Sequence, residues 1–215
     1  NTLRNAWRIP DLRKKILFTL FIIIAFRFGS VIPVPFLDGA KLQELMNSMN
    51  ANGTALGYIN MLTGGAFSYA TLFAMGITPY INSSIIMNLL TVAIPPLERM
   101  AKEGEEGRKK IGAITRYVTV ILGLIQGTAY YFYLLNNKIT VYSEGGAAVF
   151  TAFVIILCFT AGTALIMWMG EQINQKGVGN GISIILFSGI VARLPVTIGQ
   201  LGEFFGAALQ DPTNY

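Results

Sequence analysis

Between Asn60 and Pro96 lies a run, NMLTGGAFSYATLFAMGITPYINSSIIMNLLTVAIPP, that is apolar enough for a bilayer and yet cannot be one straight helix. Gly64, Gly65, Gly76 and Pro79 interrupt it, and Asn82, Ser83, Ser84 and Asn88 dot its second half. Hydrocarbon offers no partner to loosened backbone N–H and C=O groups. A broken helix at membrane depth is therefore tolerated only inside protein or along a water-filled cavity. The run predicts a segment that lines a pathway.

Hydrophobic residues make up 53% of the 215 and charged residues 13%, against roughly 25% charged in an ordinary soluble domain. That balance predicts an all-α, multi-pass membrane protein. Cys158 is the single cysteine and histidine is absent. An intrachain disulfide, a His/Cys metal site and histidine-based catalysis are thereby excluded. No catalytic residue, metal ligand or cofactor is assigned. The basic start, NTLRNAWRIPDLRKK, precedes an apolar run without a small-residue cleavage pattern, so it is expected to be retained.

Five stretches match the roughly 20 apolar residues needed for a ~30 Å hydrocarbon core. They run from about Ile16 to Ile32, across the interrupted segment, from Ile114 to Leu135, from Ala147 to Gly170, and from Gly181 to about Ile198. Within the interrupted segment, Gly65 to Met75 would rise only ~16 Å as a helix, whereas Ile77 to Ile94 would rise ~27 Å. The first piece is expected to be a half-inserted plug-like helix and the second the crossing. Residues 1–15 then form a basic N-terminal segment, 16–200 the five-helix body, and 201–215 an interfacial segment on the outer side.

With the N-terminus in the cytoplasm, that side receives Arg4, Arg8, Arg13, Lys14, Lys15, Arg99, Lys102, Arg108, Lys109, Lys110, Arg116 and Lys176, and the outer loops only Lys41 and Lys138. The Lys/Arg excess marks cytoplasmic loops. The C-terminus falls outside, and an odd number of spans ending there is expected of half of something larger. All the carboxylates lie in loops or at span ends, which argues against the buried acid of a proton or sodium relay. Arg27 and Arg193 are the charges within spans, both near the outer end, where a long side chain snorkels.

Ile77, Ile81 and Ile85 recur at helical spacing beside Asn82 and Asn88. Two readings are open: packing with interhelical amide bonds, or a hydrophobic constriction that blocks ions by dewetting. The loop ERMAKEGEEGRKK is likewise either a solvated positive-inside turn or a patch for acidic and phosphate-bearing surfaces. KGVGNGIS at 176–183 lacks the spacing and the preceding strand of a dinucleotide fingerprint. It is expected to be a tight connector, with Asn180 capping the next helix.

The strings MLTGGAFSYATLFAMGITPYINSSIIMNLLT, EGEEGRKKIGAITRY and MWMGEQINQKGVGNGISIILFSGIVA, with FRFGSVIPVP at 26–35, resemble the SecY family, the central subunit of the bacterial protein-conducting channel. The likeness runs through nearly the whole chain in order. That family has ten spans in two inverted halves of five, so the chain resembles the N-terminal half. The resemblance implies a plug over about 58–72, including Asn60, Met61, Leu62, Thr63, Gly64, Gly65, Ala66 and Phe67. It implies a pore ring drawing on Ile77, Ile81 and Leu186, with leucine where isoleucine is usual. It implies a lateral gate, for which Asn82, Asn88 and Gln126 are candidate polar contacts.

The resemblance further implies passage of unfolded secretory polypeptides across the bacterial inner membrane and sideways release of membrane segments. Its partners would be the C-terminal half, SecE-type and SecG-type subunits, the SecA motor, the ribosome, signal peptides and nascent chains, and membrane lipids. Lys102, Arg108, Lys109 and Lys110 would give auxiliary cytoplasmic docking. A helical secondary transporter with a discontinuous helix is the alternative. An intramembrane enzyme lacks a histidine or buried acid to activate its hydroxyls.

Overall fold

The computed structural model describes residues 9–51, 65–142 and 145–192, with 194, 195, 198, 199 and 202. Its helices are α1 (Pro10–Gly29), α2 (Gly39–Ala51), α3 (Thr78–Ala93), α4 (Pro95–Lys102), α5 (Glu105–Asn136), α6 (Gly145–Lys176) and α7 (Gly181–Val191). Among the described residues the only extended pairing consists of two isolated bridges. Each of the five expected spans has a helix. α5 and α6 are long and apolar enough to cross alone. α3 and α4 form a pair bent by 100°, where Ile94 is extended and Pro95–Pro96 can only start a new helix. α7 is continuous for 11 residues, and helical residues recur at 194–195, 198–199 and 202.

α5 packs most extensively on α6, and α3 on α5. The α5 seam is Thr115, Thr119, Gly123 and Gly127, all buried, one every four residues. A methyl on Gly123 would stand 3.4 Å from Thr163 Cγ2, and one on Gly127 3.4 Å from Phe159 Cβ. Small residues at this spacing let two backbones approach in a bilayer, where hydrophobicity itself does not drive helices together. The buried hydroxyls donate to carbonyls four residues back, as Thr119 does to Thr115 at 2.7 Å and Thr163 to Phe159 at 3.1 Å. Ser83 Oγ of α3 donates across to the Thr115 carbonyl at 2.9 Å.

The helix expected over Gly65–Met75 does not form. Residues 65–77 instead make successive turns interrupted by a bridge at Thr71, and the regular helix begins at Thr78. Gly65, Ala70 and Gly76 have φ of +93°, +41° and +58°, left-handed values that end a right-handed helix. The backbone groups so released are met by protein. Val34 N–H donates to the Ala70 carbonyl at 3.1 Å and Leu72 N–H to Ile32 at 3.0 Å. The Leu72 carbonyl presses on α6 where Gly162 leaves room, since a Cβ there would lie 1.9 Å from it. The Pro33–Pro35 corner is thus a brace. On its other side, Asp38 N–H donates to Ile139 and Val141 N–H to Phe36.

Asp38 Oδ1 also accepts from the amides of Ala40 and Lys41, at 3.1 and 3.3 Å, where α2 starts. The Lys41 amide foremost, with the Ala40 amide and the Lys41 ammonium adding, holds this exposed carboxyl below its usual value.

Two outcomes should follow. Gly162→Ala should cost about 1–3 kcal/mol, seen as a lower melting temperature in detergent, whereas Gly123→Ala, with ordinary contact distances, should melt near wild type. Because its carboxyl is acidified by folding, Asp38 stabilises α2 above the ordinary carboxylate pKa, and that contribution is lost as pH falls through the lowered value. Amide protection at Ala40 and Lys41, measured against the intrinsic exchange rate at each pH, should fall over that window, and Asp38→Asn should flatten the dependence.

Candidate functional site

Where the turn segment feeds into α3, Ile77 is the last residue before regular helix, and its carbonyl accepts from the amides of Tyr80 and Ile81 at 3.1 Å each. Ile77 is buried at 5% exposure. It belongs to an apolar cluster with Phe73, Ile166, Met169, Ile173 and Ile185, and Ile81 and Leu186 pack against that cluster while keeping part of their surface open. The three expected ring residues, one at the cap of α3, one in α3 and one in α7, are therefore brought to one locus. Ile85, one turn further along, is 52% exposed. Such a surface offers no hydrogen bond or charge to a guest. It can exclude ions and water and can slide, but it cannot grip one chemical group.

Beside it, Asn82 and Gln126 line a groove of about 440 Å³ between α3 and α5, together with Phe67, Met75, Tyr130 and Tyr133. Asn88 does not line it. Six residues beyond Asn82 it has turned about 240° round the helix, and it is exposed. Two of the three candidate gate residues thus share a surface and the third does not.

Of the expected plug residues, Asn60, Met61, Leu62, Thr63 and Gly64 lie outside the described residues, and Gly65, Ala66 and Phe67 fall in the turn segment. Phe67 is tied down by a residue the sequence did not single out. Tyr130 O–H donates to the Phe67 carbonyl at 3.1 Å, the two rings lie 4.6 Å apart, and the Tyr130 and Phe159 rings 5.2 Å apart. The aromatic run YYFY at 130–133 was the available signal, but nothing in it says that Tyr130 and Tyr131 are the buried pair or that Tyr130 is the one that reaches Phe67.

The stretch expected as a basic loop is the end of α4, a two-residue turn and the start of α5, and its four basic residues separate into two kinds. Lys102 pairs with Glu98 one turn back and Lys110 with Glu103 at 3.3 Å, while Arg108 and Lys109 border a shallow groove with Glu105, Gly112 and Arg116. Arg116, not among the predicted set, joins α5 to α6 through Glu171 at 2.7 Å. The 176–183 connector is as expected. Asn180 Oδ1 accepts from the amides of Ile182 and Ser183 at 3.1 and 3.4 Å, and Val178 N–H reaches Thr19 Oγ1 of α1 at 3.1 Å.

Residues 71–213 match the family model for SecY. The chain belongs to the SecY family. It is similar to the protein translocase subunit SecY of Streptomyces coelicolor, 45% identical over 89% of this chain and 45% of that protein. Similar too are the Bacillus subtilis subunit, 45% identical over 94% and 46%, and the Escherichia coli subunit, 46% identical over 91% and 44%. The chain spans about half the length of the curated relatives it matches. In fold it is similar to a solved protein conducting channel, with TM-score 0.60 and 18% identity over 94% of this chain and 42% of that one. The same TM-score and identity hold for Sec61 in a canine ribosome-channel complex from the endoplasmic reticulum, over 94% and 43%. The helices described above are thus those of half a SecY-type channel fold, in a multi-pass protein of the bacterial membrane.

Tyr130→Phe removes one oxygen and keeps the ring. It should cost about 1 kcal/mol and accelerate amide exchange across residues 65–72; unchanged exchange would show that the ring contacts alone hold the segment.

Proposed function

We propose that this chain is the N-terminal half of a protein-conducting channel that passes unfolded secretory polypeptides across the bacterial inner membrane and releases membrane segments sideways into lipid. The observation that carries it is the convergence of Ile77, Ile81 and Leu186 on one apolar cluster at the point where a helix breaks. An aliphatic collar suits a substrate defined only by being an extended chain, since fixed polar groups would favour one sequence over others. Residues 58–72, with Asn60 to Phe67 at their centre, act as the plug. Asn82 and Gln126 contribute to the lateral gate, with Asn88 further along the same helix.

The chain itself is not an enzyme; the driving energy comes from a partner, a SecA-type motor or a translating ribosome. The remaining half of the channel and SecE-type and SecG-type subunits complete the pore, and signal peptides and nascent chains are its clients. The cation distribution supports a cytoplasmic N-terminus. On that orientation Arg108 and Lys109 give the freer cytoplasmic contact, with Lys102 and Lys110 partly neutralised by their own glutamates.

In the full-length channel with its partner subunits, reconstituted in planar bilayers, Ile81→Ser should raise resting ion conductance several-fold, because a hydroxyl in the collar stabilises water there. Supplied with a SecA-type motor and ATP, wild-type vesicles should take up an unfolded secretory precursor and not a small solute. Conductance equal to wild type would remove Ile81 from the collar, and solute uptake without precursor transport would favour a transporter.

A further inference from the structure

Arg27 lies two residues from the C-terminal end of α1 and is partly buried. Among the described residues its guanidinium has neither an ion pair nor a hydrogen bond. A guanidinium at membrane depth is costly unless it finds an anion or reaches the headgroup layer. Two clefts meet at it. One, of about 360 Å³, is lined by Arg27, Ser30, Gly65, Tyr69 and Thr71 among others. The second, of about 390 Å³, is lined by Ile24, Arg27, Phe28 and Val31.

The first cleft selects for its guest. Ser30 Oγ already donates to the Phe26 carbonyl at 2.8 Å and Thr71 Oγ1 to Ala66 at 3.2 Å. Of its side chains, the Arg27 guanidinium and the Tyr69 hydroxyl keep free protons, while Ser30 and Thr71 keep acceptor lone pairs. That set fits a group with an anionic acceptor core and neighbouring hydroxyl donors. The second cleft continues it as apolar surface, with Phe28 75% and Val31 73% exposed. A free inorganic anion has no use for that surface.

We propose that the joined clefts bind one phospholipid of the adjacent leaflet, its phosphodiester on Arg27 and Tyr69 and an acyl chain along Ile24, Phe28 and Val31. Arginine suits the task because its fork gives two parallel donors to phosphate oxygens. Tyr69 and Thr71 belong to the turn segment, so an occupied headgroup joins that segment to α1. The site is independent of what the channel carries.

The test is native mass spectrometry of the full-length, delipidated channel titrated with dioleoyl phosphatidylglycerol. Arg27→Gln should weaken binding of the first lipid about tenfold, as loss of a charged phosphate contact of about 1.4 kcal/mol implies, and Arg27→Lys by less. Tyr69→Phe should weaken it about threefold. Dioleoylglycerol, which lacks the phosphate, should not saturate the site, and millimolar inorganic phosphate should not displace the phospholipid. Equal affinity in wild type and Arg27→Gln would overturn the proposal, as would displacement by free phosphate. So would a lower melting temperature of Arg27→Gln in lipid-free detergent, because that would mark a protein carboxylate as the guanidinium's partner.

Discussion

Every polar group of the backbone between Gly65 and Ile77 has to be satisfied without the help of lipid, and the bundle is arranged around meeting that requirement. An unbonded peptide group in hydrocarbon costs several kcal/mol, more than any single side-chain contact in the molecule contributes. The Pro33–Pro35 corner lends its neighbours' amides and carbonyls on one side, at Val34 and Ile32. α5 lends the Tyr130 hydroxyl on the other, and α6 gives up a side chain at Gly162 so that the Leu72 carbonyl can approach. The seam of small residues on α5 follows from the same need. Only a close α5–α6 pair can hold both Tyr130 and Gly162 against one segment.

What sequence shows and what it hides divide along this line. The break itself, the five helices and the connector capped by Asn180 rest on local chemistry or on long runs of apolar residues, the grouping of Ile77, Ile81 and Leu186 rests on the family resemblance, and all of these are legible in one dimension. The turns at 65–77 are not. Helical spacing allows a short helix there, and what replaces it is a set of hydrogen bonds to residues 36 and 40 positions earlier, which outweigh local propensity. Ala70 illustrates the point: alanine favours a helix, yet its carbonyl is taken by Val34 and its φ is +41°. Tyr130 was hidden among four aromatic residues, and the division of the basic loop into paired and free cations depends on distances that spacing alone does not give. Asn88 shows a further limit of one dimension: grouped with Asn82 by residue type, it lies six residues on, where the helix turns it away from the Asn82 groove.

The exposed apolar faces make sense only in this setting. Leu89 and Val92 of α3 are 67% and 82% exposed, which in water would be a liability for aggregation. In a half-channel they are surfaces for lipid or for the other half, and leaving them bare costs little where the solvent is itself apolar. Specificity among helices then falls to the few polar ties, such as Ser83 to Thr115 and Arg116 to Glu171.

On the proposed function, the same bookkeeping sets the scale of opening. Among the described residues, long-range bonds from Val34, Leu72 and Tyr130 hold the turn segment, and where the groups they release meet water or an entering chain rather than lipid, each is an exchange of about 1 kcal/mol net. A bias of that order favours the tied segment and is small enough for a docking chain to reverse. Covering the released backbone with its own peptide groups, an extended substrate could replace the very bonds it breaks. The collar, having no polar contact to lose, resists only through the water it excludes. A channel built this way separates its two duties: polar ties to the turn segment set how often it opens, and aliphatic side chains set what leaks while it does.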